Sequence, residues 1–459
     1  MRLNMKIDAT SGRRCFREGA LSALRMAVVA VSIVAMLSAC TSDRSDRARA
    51  LLATVPADAG SVAVINTERL LRDGGGKVES DGKSVPGKEL GAIVDAAGVY
   101  AQALLSDSAG VDASVAVVFT DGYYSYITGA LRDAGAFEAF WKGHGRSFVD
   151  ADGLRVDRNI VFTDKQFWMS PEDRRPDPKA IQGYISLSEK RSWTAHKGVD
   201  VLLKGDADVT ILADVNTLAR RGASKTGFSM APLVLSMVFK DAQWISATMD
   251  LDKGKAAFDC RLLDSEFNAS EFMLPLGTVD PAIIKGLDCS AGMIGAVAVP
   301  SKLISRLSKQ LPSGLPAMYE AMLRPVDGTV AFAMDAAADA GKIAVQTNGS
   351  SATELRDGLE MLLPGGETRT NGKVVSISRG SILGRLPSSQ FAPRFKGVAA
   401  GMVFNVGGLS RFGLTPGEEK IDRAEVMALP DGVGLRMRGE IFSSEKNRYF
   451  LFTLLELSH

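Results

Sequence analysis

Short apolar runs with strand-like alternation recur along the chain, each ending in a polar residue, with an apolar residue four positions later and an arginine six positions later. SVAVINTERLLR supplies Asn66, Leu70 and Arg72; VTILADVNTLAR supplies Asp214, Leu218 and Arg220; GMVFNVGGLSR supplies Asn405, Leu409 and Arg411. A weaker copy, AVAVPSKLISR, keeps Ile304 and Arg306 but has Pro300 at the polar position. The pattern predicts a buried strand, such as residues 62–65, followed by a helix whose free N–H groups are capped by the Asn or Asp side chain. The apolar residue then turns back onto the sheet. The arginine reads as solvated or as meeting its own helix's C-terminal carbonyls, with a recurring anion-binding cation as the alternative.

Two strands joined by a turn follow each copy: residues 113–119 with 123–129 about Asp121-Gly122, 244–250 with 255–263 about Lys253-Gly254, 330–335 with 342–347, and 424–429 with 434–441. Asp-Gly and Lys-Gly between alternating runs are hairpin signals. The expected fold is therefore α+β: four repeated strand-helix-hairpin modules, with mixed or antiparallel sheets and helices packed on one face. The first and third modules carry an extra helix and hairpin. In the first, ALRDAGAFEAFWKGHG places Phe137, Phe140 and Trp141 on one helix face, followed by short strands at 154–156, 160–163 and 167–169. In the third, SATELRDGLEMLL is capped by Ser350 or Ser351 and precedes strands at 373–378 and 382–386. The order long, short, long, short gives two similar halves: residues 57–270 (modules 57–200 and 205–270) and 289–459 (modules 289–390 and 395–459), with 271–288 as linker. Residues 73–87 and 171–178 read as charged loops rich in glycine or proline.

Ahead of these modules, Arg13, Arg14, Arg17 and Arg25 precede an uncharged apolar run at 26–39. A positive region before a short apolar one is an export signal; the run falls short of the roughly 20 residues that span a bilayer. It ends in Leu37, Ser38, Ala39 and Cys40, which resembles the bacterial lipobox. That resemblance implies cleavage of residues 1–39 and acylation of Cys40, whose chains would anchor the protein to a membrane. Residues 40–56 then read as a solvated, flexible tether. Thr41 after the cysteine favours the outer membrane, its face undecided.

The segments VPADAGSVAVINTERLL, SAGVDASVAVVF, DAGAFEAFWK and DGLRVDRNIVFTD together resemble an uncharacterised family of cell-envelope lipoproteins from Bacteroidota. The likeness covers mainly the first half and implies a repeated α+β build with no assigned activity.

Composition narrows the chemistry. Lys+Arg 54 against Asp+Glu 53 gives a net charge of +1, which lacks the basic excess of a nucleic-acid binder. With Cys15 in the signal and Cys40 acylated, Cys260 and Cys289 remain; in an oxidising compartment they could form a disulfide, or stand as two buried thiols. Aromatic residues are 7%, few for a sugar-stacking platform. Tyr123, Tyr124, Tyr126, Trp141, Phe167 and Trp168 are the candidates, and their spacing fits a core equally well. The histidines are His144, His196 and His459, with no HExxH spacing and no G-x-S-x-G elbow. GKSVPGKE at 82–89 fails as a phosphate loop at Glu89, and Ser443 with Lys446 lacks the companion motifs of a serine acyl-enzyme. No catalytic, cofactor-binding or metal residue is assigned. The expectation is a non-catalytic envelope module that binds the membrane through Cys40 and an envelope protein or glycan through its body; the alternative is a hydrolase of glycan or peptide using carboxylates.

Overall fold

The structure, a computed structural model, describes residues 44–79, 82–96, 99, 102–103, 109–122, 124–170, 176–217, 238–310, 317–335, 340–349, 353–405 and 420–457. It is α+β and dominated by antiparallel strands. Two compact units divide the chain: unit 1 takes Met1–Pro232, Thr248–Asp252 and Tyr449–His459, and unit 2 takes Leu233–Ala247 and Lys253–Arg448. This partition differs from the expected halves at 57–270 and 289–459, because the second hairpin lies largely in unit 2 and the last helix returns to unit 1.

Unit 1 opens with α1, Arg44–Leu52. These residues were expected within a solvated tether, yet Ala48, Leu51 and Leu52 are 0, 3 and 0% exposed. Spacing of three and four places them on one helix face, which the sheet covers. Then come β1 (Ser61–Asn66), α2 (Thr67–Asp73), α3 (Lys88–Ala96), β2 (Val111–Asp121), β3 (Tyr124–Leu131) and α4 (Ala134–Gly143). Four short strands follow, β4 (Val149–Ala151), β5 (Leu154–Asp157), β6 (Ile160–Phe162) and β7 (Gln166–Met169), and after them α5 (Pro178–Ile185), α6 (Val199–Leu203) and β8 (Val209–Asp214). The antiparallel order is β8-β1-β2-β3-β7-β6-β5-β4. Phe119, Phe137, Trp141, Phe167 and Trp193 are all 0% exposed and form its core.

Unit 2 is built from part of β9 (Trp244–Asp252), β10 (Lys255–Leu263), α7 (Pro281–Lys285), β11 (Met293–Val299), α8 (Ser301–Gln310), α9 (Ala317–Leu323), β12 (Val326–Asp335) and β13 (Ala340–Thr347). It continues with α10 (Thr353–Leu362), β14 (Glu367–Asn371), β15 (Val374–Arg379), β16 (Ala400–Asn405), β17 (Ile421–Asp431) and β18 (Gly434–Ser443). The antiparallel order is β14-β15-β13-β12-β11-β16-β17-β18-β10. One apolar cluster packs Ile284, Leu287, Ile294, Phe395 and Val403. A second seats Leu355 and Leu359 of α10 on Val326, Val345, Val375 and Ile377. The last described helix, α11 (Phe450–Leu457), belongs to unit 1.

The expected turns close at Gly122, Gly254 and Gly432, whose φ of 55°, 69° and 60° suit glycine. Two of the expected caps form: Asn66 accepts from the Arg69 N–H at 3.3 Å, and Asp214 accepts from the Thr217 N–H at 2.7 Å. Where Pro300 replaces the polar residue, a different element supplies the cap, for Asp327 of β12 accepts from the Ser301 N–H at 2.9 Å. In the third module the strand before the turn is β14, not residues 382–386; its sequence ETRTN is polar and mostly exposed, so it carries no apolar signal.

A close approach recurs in the sheets. Gly129 faces Phe167, Gly295 faces Phe332 and Gly439 faces Phe258 directly across adjacent strands, and in each pair the ring occupies the space where a Cβ would stand.

Candidate functional site

In unit 1, β1 ends at Asn66 and α2 turns away, which puts Arg69 on the first turn of that helix. The Asn66 N–H donates to the Asp208 carbonyl at 2.7 Å, bringing the segment before β8 alongside. The Asp208 side chain is 0% exposed. Its Oδ2 accepts from the Leu251 N–H at 2.6 Å, and its Oδ1 lies 3.4 Å from Arg69 Nε. Arg69 also approaches Asp250 at 3.0 Å and Asp73 at 3.7 Å, and donates to the Asp206 carbonyl. Tyr449 is buried beside this cluster, its hydroxyl without a hydrogen-bond partner among the described residues.

Burial pushes the Asp208 carboxyl up to about 7; the Leu251 N–H and Arg69 pull it down, while Asp250 and Asp73 push it further up. A carboxyl near neutrality is what acid–base chemistry requires, but this one is sealed and already engaged. Neither cleft described in unit 1 includes it. One, of about 240 Å³, is lined by Asp152, Leu154, Lys179 and Gln182 among others. The other, of about 260 Å³, lies between Arg47, Asp112, Ser114, Lys165 and Gln166. Its polar groups are partly spent within the fold: Arg47 meets Asp112 at 2.9 Å and donates to Ser114, and Gln166 donates to Thr54 and Thr128 at 2.8 and 2.7 Å.

Leu37, Ser38, Ala39 and Cys40 lie outside the described residues. Cys260 and Cys289 are free thiols, so the disulfide is not formed. Cys260 stands opposite Met437 on β18, whereas Cys289 packs against the cluster beside α7. Burial pushes the Cys260 thiol up to about 11 and raises that of Cys289. The aromatic candidates are core rather than platform: Tyr126, Trp141, Phe167 and Trp168 are 2% exposed or less, with both faces of β7 covered so that the successive Phe167 and Trp168 are buried alike. Tyr124 is exposed, and Tyr123 lies outside the described residues. Of the repeated arginines, Arg72 is exposed beside Asp73 and Arg306 is exposed, while Arg220 and Arg411 lie outside the described residues.

His144 ends α4 with Nδ1 2.9 Å from the Phe140 carbonyl, and His196 lies against the Trp193 ring at 4.0 Å. Ser443 donates to the Lys420 carbonyl and accepts from the Glu445 N–H, both at 3.1 Å, as a turn-forming residue does. Among the described residues no group of three or more His, Cys, Asp or Glu side chains is placed to hold a metal, and no helix is long and apolar enough to cross a membrane. The Arg69–Asp208 cluster went unseen in the sequence. Its one signal was an acid directly before a buried strand, in DADVTILAD.

No family model matches the chain, and no curated protein matches it. Among solved structures, "Structure of crystal form I of TP0453" is 6% identical, covering 74% of this chain and 95% of its own, with a TM-score of 0.27. "Structure of crystal form III of TP0453" is likewise 6% identical over 74% of this chain and 96% of its own, with a TM-score of 0.26.

Proposed function

We propose that the protein is a lipid-anchored lipoprotein of the cell envelope, held at the outer membrane through Cys40, whose body binds or supports another envelope component without catalysis. The observation that carries this reading is the apolar run at 26–39 ending in Leu37, Ser38, Ala39 and Cys40, shortly before the first described helix, α1. On the non-catalytic side, the one carboxyl lifted to about 7 among the described residues is that of Asp208, which is 0% exposed and engaged by Arg69 and the Leu251 N–H. A hydrolase would need such a group open to substrate.

We further propose that the body derives from four strand-helix-hairpin modules in two similar halves, of the build implied by the resemblance to the Bacteroidota lipoproteins. Matching strand neighbours support this: β1 lies between β8 and β2, followed by β3 and β7, and β11 lies between β16 and β12, followed by β13 and β15.

Mass spectrometry of the mature protein tests the anchor. An acylated Cys40 at the new N-terminus, with release from membranes in Cys40→Ala, is the expected result. A mature chain that keeps residues 1–39, or starts at Cys40 with a free thiol, would overturn it. Crosslinking in intact membranes should then trap one recurrent envelope partner.

A further inference from the structure

Cys40 and Arg44 are separated by three residues, so their Cα atoms lie within about 14 Å of one another whatever path the chain takes. Arg44 begins α1, and α1 is fixed to the body by Ala48, Leu51 and Leu52 in the core and by Arg47 on Asp112. An acylated Cys40 therefore pulls on a defined point of unit 1 rather than on a long leash.

That point can be placed along the sheet. Arg47 meets Asp112 and Ser114, near the start of β2, and Leu51 shares a cleft with Val115 and Ala130. The chain after α1 reaches the other end of β2, where the Gly60 N–H donates to the Thr120 carbonyl at 3.0 Å. So α1 runs alongside β2 and starts at its Val111 end. Leu131 pairs with Val111 there, the Arg132 N–H donates to the Gly110 carbonyl at 2.8 Å, and the Lys165 carbonyl accepts from Leu131 at 2.8 Å. The turn at Asp121-Gly122 lies at the opposite end, about 30 Å away at the strand rise of ~3.4 Å per residue.

Resting on the anchor reading, we propose that the Val111 end of unit 1 is a membrane-facing surface, seated against lipid headgroups, with the Asp121-Gly122 turn held away from the bilayer. The charges beside α1 are mixed: exposed Arg49 and Lys165 stand near exposed Asp46 and Asp164. Seating therefore comes from the short covalent link between Cys40 and α1 and is insensitive to salt, unlike attraction to anionic lipid.

Mature acylated protein, starting at Cys40, in phosphatidylcholine vesicles provides the test. Single thiols introduced as Ser45→Cys and Tyr124→Cys, both at exposed positions, would carry a fluorophore, with nitroxide on a fraction of the lipid headgroups as quencher. Cys260 and Cys289 are half-buried with raised thiol pKa and compete poorly for label. Quenching should be several-fold greater at position 45 than at 124 and unchanged by 0.5 M salt. A flexible insert of about 20 residues between 43 and 44, with an r.m.s. span of about 25 Å, should bring the two positions towards equality without detaching the protein. Acylated protein with equal quenching before any insert overturns the orientation alone; protein with no acyl mass at residue 40 and free of vesicles overturns the anchor as well.

Discussion

The most consequential single residues are those whose environment has no slack. Gly439 lies under the Phe258 ring, and any Cβ must displace that ring or the strand beneath it. Gly439→Ala should cost about 1–3 kcal/mol, read as a lowered urea midpoint of the full chain. Asp208 makes a different prediction. Its folded-state pKa of about 7 stands above the ordinary carboxylate value of about 3.9, so the native state binds the extra proton. The stabilisation is complete below the unfolded pKa and is lost as pH rises through about 7. Melting temperature should therefore be higher at pH 5 than at pH 8, and Asp208→Asn should flatten that difference, as calorimetry across this range would show. The sequence disclosed Asn66 and Asp214 as caps because a cap and its helix are neighbours in the chain. It could not disclose Arg69 with Asp208 and Asp250, which only the pairing of distant strands assembles.

Among elements, legibility followed apolar content. The hairpins about Gly122, Gly254 and Gly432 were readable because their strands alternate and glycine takes the turn. β4 and β14 were not, since VDA and ETRTN are largely exposed and become strands only through the partners beside them. α1 was misread for a related reason: RSDRARALL is polar overall, and only Ala48, Leu51 and Leu52 form its buried stripe. Leu52→Ala should destabilise the protein by about 2–5 kcal/mol, whereas a solvated tether would register nothing in the same denaturation curve. α8 tests the borrowed cap. Asp327→Ala removes the acceptor for the Ser301 N–H and should cost about 1 kcal/mol, with faster amide exchange in the first turn of α8. Restoring a local cap by Pro300→Asp in that background should recover part of the loss.

For the whole molecule, the α+β class and the antiparallel sheets were legible from four hairpin signals; the assignment of segments to units was not. Patterns along a chain show which segments bury a face, not which distant segment buries it with them. Unit 1 makes the point, since its core is completed by α11, where Phe450, Leu451 and Phe452 are 0, 1 and 3% exposed. Deleting residues 449–459 should therefore leave unit 1 with open apolar surface, seen as strong binding of a hydrophobic dye and loss of its cooperative melt. The late position of α11 also sets a timetable. The strands β1–β8 of unit 1 end at Asp214, yet α11, Phe450–Leu457, is made only after the sheet of unit 2, so the contacts that finish unit 1 close a long loop. Until α11 has been synthesised, unit 1 keeps open the apolar surface that Phe450, Leu451 and Phe452 cover. Exposed apolar surface of that kind invites wrong partners, so the interval before α11 is made is the one in which unit 1 is most prone to aggregate.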